Sequence, residues 1–255
     1  MPVLICKDAD ASIYNVGYDQ PWLPNFADAL YAFYLLGTDA PLDVLRDYSG
    51  NDRNLARTGA PVEGAASSAI GAFPAGYIAP FSGDDLFAAS GNTGFTILAV
   101  ARTSADAVAA IVGGSDAVTT KHVGLLTTAG SDVQAAVRNG GAGSSFSAVP
   151  ETAYRGTGHN MVGGIWAPNE VVAIRKNPGE DAIFNTVATT VAVVGGALHF
   201  GIGRYAEGAA SDSTYADPVD IAALAFYAGR LTNNQVLSCY TGLQAAVLAS
   251  GGLVI

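Results

Sequence analysis

Ala29–Gly59, ALYAFYLLGTDAPLDVLRDYSGNDRNLARTG, decides the fold class. It opens on an apolar stretch, crosses a polar connection, and reaches the turn Asp47-Tyr48-Ser49-Gly50-Asn51-Asp52 before a second short strand. Turn chemistry explains the centre: Asp47 and Ser49 can bond nearby backbone, Gly50 supplies positive φ, and Asn51 tolerates the left-handed region. Tyr31, Phe33 and Leu35 alternate with Leu30, Ala32 and Tyr34, and both sets are apolar. The first strand is therefore expected to be buried on both faces, or edged by the chain that precedes it. This much predicts a β-fold and no reaction.

Outward from that stretch, short-period segments recur. Strands are expected over 76–81, 95–102, 108–112, 123–128, 133–138, 161–166, 171–175, 183–187 and 192–200. Spacings of about 8–14 residues, with Gly, Asn and Pro between, mark an antiparallel sandwich. Ala167-Pro168-Asn169 and Thr128–Asp132 are short enough to close hairpins. The Gly-rich piece Asn139–Ser145 reads as a flexible loop. One helix is expected from Asn233 to about Ala249, with Thr232 as N-cap and Val236, Leu237, Tyr240, Leu243 and Val247 at helical spacing. Residues 1–27 show no sustained period, and prolines flank Trp22, which excludes a helix or central strand there. They read as an extended N-terminal arm, anchored by Trp22 and Phe26, that either lies on its own domain or reaches a neighbouring subunit. Residues 28–255 form the sandwich.

The Ala29–Gly59 stretch resembles the first strand and loop of laminin-G-like domains of the concanavalin A-like lectin/glucanase superfamily. Leu198–Tyr205 (LHFGIGRY) is similar to the penultimate strand of that family. Asp217–Tyr240 (DPVDIAALAFYAGRLTNNQVLSCY) resembles its closing strand, small-residue turn, Leu-Thr pair and short helix. The resemblance spans roughly residues 28–245 and rests on structural motifs. It implies an all-β, antiparallel β-sandwich of the jelly-roll type and a non-catalytic carbohydrate-binding or adhesion role.

Composition narrows the partners. A net charge of −10 with three lysines, Lys7, Lys121 and Lys176, argues against nucleic acid, because phosphate neutralisation needs clustered Lys and Arg. Charged residues are 13% against 50% hydrophobic, a balance that fits either a β-rich homo-oligomer with surface covered by neighbours or loops rich in Ala, Ser and Thr. No run approaches the roughly 18 apolar residues of a membrane span, so membrane insertion is not expected. The apolar stretch of MPVLICKDADAS is too short for a secretory h-region of about 7–15 residues. A lectin-like chain without an export signal is expected in a virion, or outside the cell after lysis, as are phage tail proteins. There it would meet a host-surface polysaccharide and, through residues 1–27, other virion subunits. Cys6 and Cys239 lie near opposite ends and do not make a disulfide framework; Cys239 is expected as a small buried hydrophobe.

Candidate chemistry is sparse. A glycosidase sets two carboxylates about 5–9.5 Å apart across the scissile bond. The five glutamates, Glu63, Glu151, Glu170, Glu180 and Glu207, show no Glu-x-Asp-x-x-Glu pattern. Hydrolysis of polysaccharide is therefore the second alternative, behind a purely structural virion role. His122, His159 and His199 have neither zinc spacing nor a Gly-x-Ser-x-Gly partner. Calcium is the metal candidate: Asp47, Asn51 and Asp52 offer oxygens around a Gly, against the alternative of an Asx turn without metal. Asp84-Asp85 is a weaker pair of the same kind. Sugar binding uses aromatic faces beside planar hydrogen-bonding groups. Arg204, Tyr205, Asp212 and Tyr215 fall in one loop and are the candidate ligand residues, with Trp166 as either core or platform.

Overall fold

The computed structural model describes residues 29–37, 43–70, 75–104, 107–116, 121–129, 132–139, 144–150, 158–190, 197–204, 217–251 and 255. The expected arm of residues 1–27 lies outside them. In chain order the elements are β1 (Leu30–Leu35), β2 (Ala56–Thr58), β3 (Val62–Glu63), β4 (Ser68–Ile70), β5 (Gly76–Ser82), α1 (Gly83–Ala89), β6 (Phe95–Thr103) and β7 (Ala110–Ser115). There follow β8 (Lys121–Thr127), β9 (Asp132–Asn139), β10 (Ser144–Pro150), β11 (Asn160–Ala167), β12 (Glu170–Lys176), β13 (Ile183–Ala188), β14 (His199–Ile202), β15 (Val219–Tyr227) and α2 (Asn233–Gly251). The expected all-β sandwich is the observed one.

One sheet has the order β13-β12-β11-β6-β15-β4-β3, with β1 also paired to β15; the other runs β10-β9-β8-β7-β14-β5-β2. Every pairing is antiparallel. Both expected hairpins form, β11 with β12 and β8 with β9. β15 is the pivot. One edge pairs with β6, and the other is shared by β4 along Val219–Ile221 and β1 along Ala223–Tyr227.

Alternation from Ala32 to Leu35, after a bulge between Leu30 and Ala32, sorts the side chains of β1 between two cores. Ala32 and Tyr34 enter the core between the sheets, with Phe81, Phe95, Phe200, Phe226 and Trp166. Leu30, Phe33 and Leu35 enter a second core beneath α2, with Leu98, Val100, Ala225, Val236 and Leu243. Edge-to-face contacts hold the first core: Phe81 meets Phe226 at 5.0 Å and Tyr31 at 4.9 Å. The start of α2 is fixed by a reciprocal cap of the Thr-x-x-Gln kind. Gln235 N donates to Thr232 Oγ1, and Thr232 N donates to Gln235 Oε1 at 2.8 Å.

Two departures from the sequence reading matter. Asp84-Asp85 belongs to α1: Asp85 N donates to Ser82 Oγ at 3.1 Å and Ser82 N to Asp85 Oδ2 at 2.8 Å, a capping box in place of a metal pair. Within and beyond the supposed loop of Asn139–Ser145, β10 begins at Ser144 and pairs with β9. Of the strand expected over 192–200, residues 192–196 lie outside the described residues and β14 runs His199–Ile202; the one expected over 108–112 is shifted to Ala110–Ser115.

Candidate functional site

The Asp47–Asp52 turn docks on the edge of β1 that β15 leaves open. Tyr48 N donates to Phe33 O at 2.7 Å, and Phe33 N donates back to Asp47 Oδ1 at 3.0 Å. Asp47 Oδ1 also accepts from Ser49 N at 2.9 Å, and Oδ2 from Arg53 N at 3.0 Å. Asn51 Nδ2 donates to the carbonyls of Leu30 and Tyr31, both at 3.1 Å, and Arg53 Nη1 reaches Tyr31 O at 2.8 Å. A bare strand edge invites pairing with foreign chains, and here the turn satisfies it with side chains.

The proposed calcium ligands are thus engaged elsewhere. Asp47 is 5% exposed with both oxygens accepting backbone N–H groups, Asn51 turns its donor end to the strand, and Asp52 Oδ1 accepts from Asn54 Nδ2. The Arg53 guanidinium, 3.7 Å from the Tyr31 ring centroid, adds a positive charge where a cation would need none. This donor set does not fit calcium. Among the described residues no cluster of three His, Cys, Asp or Glu side chains could hold a metal ion.

Outside the turn, the same segment walls a groove of ≈ 820 Å³. Leu45 and Leu55 supply apolar lining, and Asp43, Arg46, Asp52 and Asn54 supply hydrogen-bonding groups. Tyr48 stands beside it, with the Arg46 guanidinium 5.6 Å from its ring centroid and its hydroxyl accepting from Asp43 N at 2.7 Å. Planar amide, carboxylate and guanidinium groups around an apolar floor suit a hydroxyl-rich ligand with CH patches. The sequence offered this segment as a calcium site or as an Asx turn without metal, and Ser49 N donating to Asp47 Oδ1 makes it the turn; the groove beside it was not foreseen.

The loop chosen for ligand binding is pinned at both stems. Gly203, at φ +70°, lies where a Cβ would come 2.3 Å from Ile70, so glycine is required there. Arg204 then turns inward: it is 6% exposed, and Nη1 donates to Thr58 Oγ1 at 3.2 Å. It is a stem residue and not a solvent-facing ligand group. At the far stem, Asp217 Oδ2 accepts from Val108 N at 2.7 Å. Tyr205, Asp212 and Tyr215 lie outside the described residues. Trp166 is core, not platform: its side chain is fully buried, stacked on Phe95 at 5.2 Å, and its Nε1–H donates to Ala136 O across the two sheets at 2.9 Å. Gly164 leaves room for that ring, since a Cβ there would meet it at 2.4 Å.

Acid–base machinery is equally committed. Each described glutamate faces an arginine: Glu63 with Arg57 at 2.6 Å, Glu170 with Arg230, and Glu180 with Arg175 at 3.1 Å. Asp220 sits across from Arg102 at 2.7 Å, with His159 Nε2 3.5 Å away. Burial alone would push the Asp220 carboxyl up; His159, Ser67 and Arg102 outweigh it and bring it down to about 2. Ser67 and His159 both face the Asp220 carboxylate, whereas a nucleophile's triad sets the imidazole between the acid and the hydroxyl. His122 is held down to about 4 by burial and by Arg138, against the pull of Asp116. Cys239 is a buried thiol pushed up to about 11 by burial, against the Tyr227 hydroxyl; Cys6 lies outside the described residues.

No family model matches the chain, and no curated protein matches it. Its fold is shared widely. A solved structure described as the binding domain of botulinum neurotoxin DC in complex with SialylT is similar with a TM-score of 0.61 and 9% identity, over 86% of this chain and 52% of that one. A structure of botulinum neurotoxin type C, described as dependent for cell entry on interaction with two ganglioside molecules, is similar at 0.58 and 11% identity, over 86% and 53% of the two chains. Trypanosoma rangeli sialidase is similar at 0.53 and 13% identity, over 88% and 33%. The chain spans about half the length of the neurotoxin domains and a third of the sialidase. At such identities the likeness is one of fold.

Proposed function

We propose that this chain is a non-catalytic carbohydrate-binding or adhesion module, laminin-G-like in its detailed type, displayed on a phage tail or virion surface to contact host-surface glycans. The observation that carries the reading is the shared sandwich: similar structures are described as a binding domain with SialylT and as a toxin that depends on gangliosides for entry. The groove lined by Asp43, Arg46, Asp52 and Asn54 is a described surface suited to hydroxyl-rich ligands. Tyr205, Asp212 and Tyr215 are the further contacts in this reading. A glycan array probed with the intact chain tests it, repeated with Arg46→Ala and Asp52→Ala. Binding to sialylated or bacterial surface glycans that both variants weaken is the expected result. Silence across the array favours the structural virion role.

A second reading, hydrolysis of polysaccharide, draws on the likeness to a sialidase. Against it stand the arginines paired to Glu63, Glu170 and Glu180. Release of new reducing ends from capsular polysaccharide would establish it.

A further inference from the structure

The face of α2 turned away from the sheet is unusual in what it lacks. Val236, Cys239, Tyr240, Leu243 and Val247 pack into the second core. On the other side Leu237, Thr241, Ala245 and Leu248 follow at steps of four, four and three, which align them in one stripe. Leu237 is 38% and Leu248 51% exposed. A solvent face is ordinarily charged. Yet NNQVLSCYTGLQAAVLASG contains no Asp, Glu, Lys or Arg, in a chain whose net charge is −10. Neither end of the helix has a compensating charge in its terminal turn.

We propose that this stripe is where a second copy of the chain docks, with the two α2 helices antiparallel about a twofold axis. Two copies that each carry ten excess negative charges repel over most of their surfaces, so a contact between them needs a charge-free face. A basic partner would need acidic groups on the stripe, and an anionic membrane would need basic ones; it has neither. The antiparallel arrangement sets the positive N-terminal end of each helix beside the negative C-terminal end of its mate, supplying the compensation that side chains do not. The stripe is also self-complementary, as a twofold contact demands. Thr241 of one copy meets Ala245 of the other, small residues that let the helices approach, while Leu237 and Leu248 pack at the two ends. A helix of 19 residues spans about 28 Å. So narrow a contact falls at or below the roughly 800 Å² per partner of stable interfaces, and the dimer is concentration-dependent.

Sedimentation velocity on the full chain across a concentration series tests this contact, which stands or falls independently of the ligand in the groove. The expected result is a monomer–dimer equilibrium that tightens as salt rises, because salt screens the mutual repulsion and there are no ion pairs to weaken. Thr241→Glu and Ala245→Glu, each at an exposed position, weaken the dimer about tenfold or more with an unchanged thermal midpoint, since like charges then face each other. A monomer at every concentration up to about 1 mM, a dimer that weakens with salt, or a dimer untouched by either substitution would overturn the proposal.

Discussion

Two aspartates, Asp47 buried and Asp220 partly so, hold the sandwich together in different ways. Asp47 is surrounded by backbone N–H groups of Phe33, Ser49 and Arg53; Asp220 is surrounded by the side chains of Arg102, His159 and Ser67. The first closes a strand edge with partners that have no proton to lose or gain. The second bridges strands across the outer face of the eight-stranded sheet, among groups whose charge can change. An acidic residue in a turn is therefore poor evidence of a metal, and an acidic residue beside a histidine is poor evidence of catalysis. What its oxygens accept decides the matter.

The largest effect expected from this contrast is at Asp47. Asp47→Ala removes two acceptor oxygens and three hydrogen bonds at once and leaves Phe33 N orphaned on a buried strand, at about 1–3 kcal/mol for a buried donor without a partner. Water reaches the turn N–H groups more readily, so the total loss is about 3 kcal/mol in urea unfolding. A loss below about 1 kcal/mol would mean that the turn does not hold β1.

Asp220 makes a different prediction, one that depends on pH. Its carboxyl is depressed to about 2 from an ordinary 3.8, so its contribution is complete above pH 3.8 and disappears as pH falls toward 2. The side chain is 14% exposed but Arg102 is 43% exposed, and solvent screening reduces the effect to about 1–2 kcal/mol. Urea midpoints of the native chain and of Asp220→Asn, compared from pH 5 to 2, converge at the acid end. Parallel curves would show that the coupling is absent.

Much of this was legible in the chain. Short-period segments located β5, β6, β8, β9, β11, β12 and β13 within a few residues, the family resemblance of Asp217–Tyr240 located β15, and Thr232 as N-cap marked the start of α2. Ser82-x-x-Asp85 carried an equally good cap signal for α1, but a double aspartate drew the metal reading. β10 was hidden for a physical reason: its alternation is inverted, with Ser147 buried and donating to Asn185 O while Phe146 is 58% exposed. A hydrophobic pattern cannot find a strand whose inward polar group is satisfied by a neighbouring strand's backbone. Arg204 misled, and Trp166 was left between core and platform, for a related reason. Both residue types serve surfaces and cores alike, and only the position of Thr58 and of the Ala136 carbonyl reveals which.

The smallest effects sharpen the contrast from the side of Asp47. Asn51→Ala removes two donor contacts to β1 carbonyls near the surface and costs about 1 kcal/mol, because water can replace an exposed donor. Calcium itself has no effect. An ion that binds the folded form stabilises by an amount that grows with its concentration over its dissociation constant. With Asp47 already saturated by N–H donors and Arg53 adjacent, that ratio stays below one at millimolar calcium. The thermal midpoint in 5 mM calcium and in excess chelator therefore agrees within about 1 °C. A rise of several degrees would put a cation among Asp47, Asn51 and Asp52, and would require the turn to exchange backbone partners for metal.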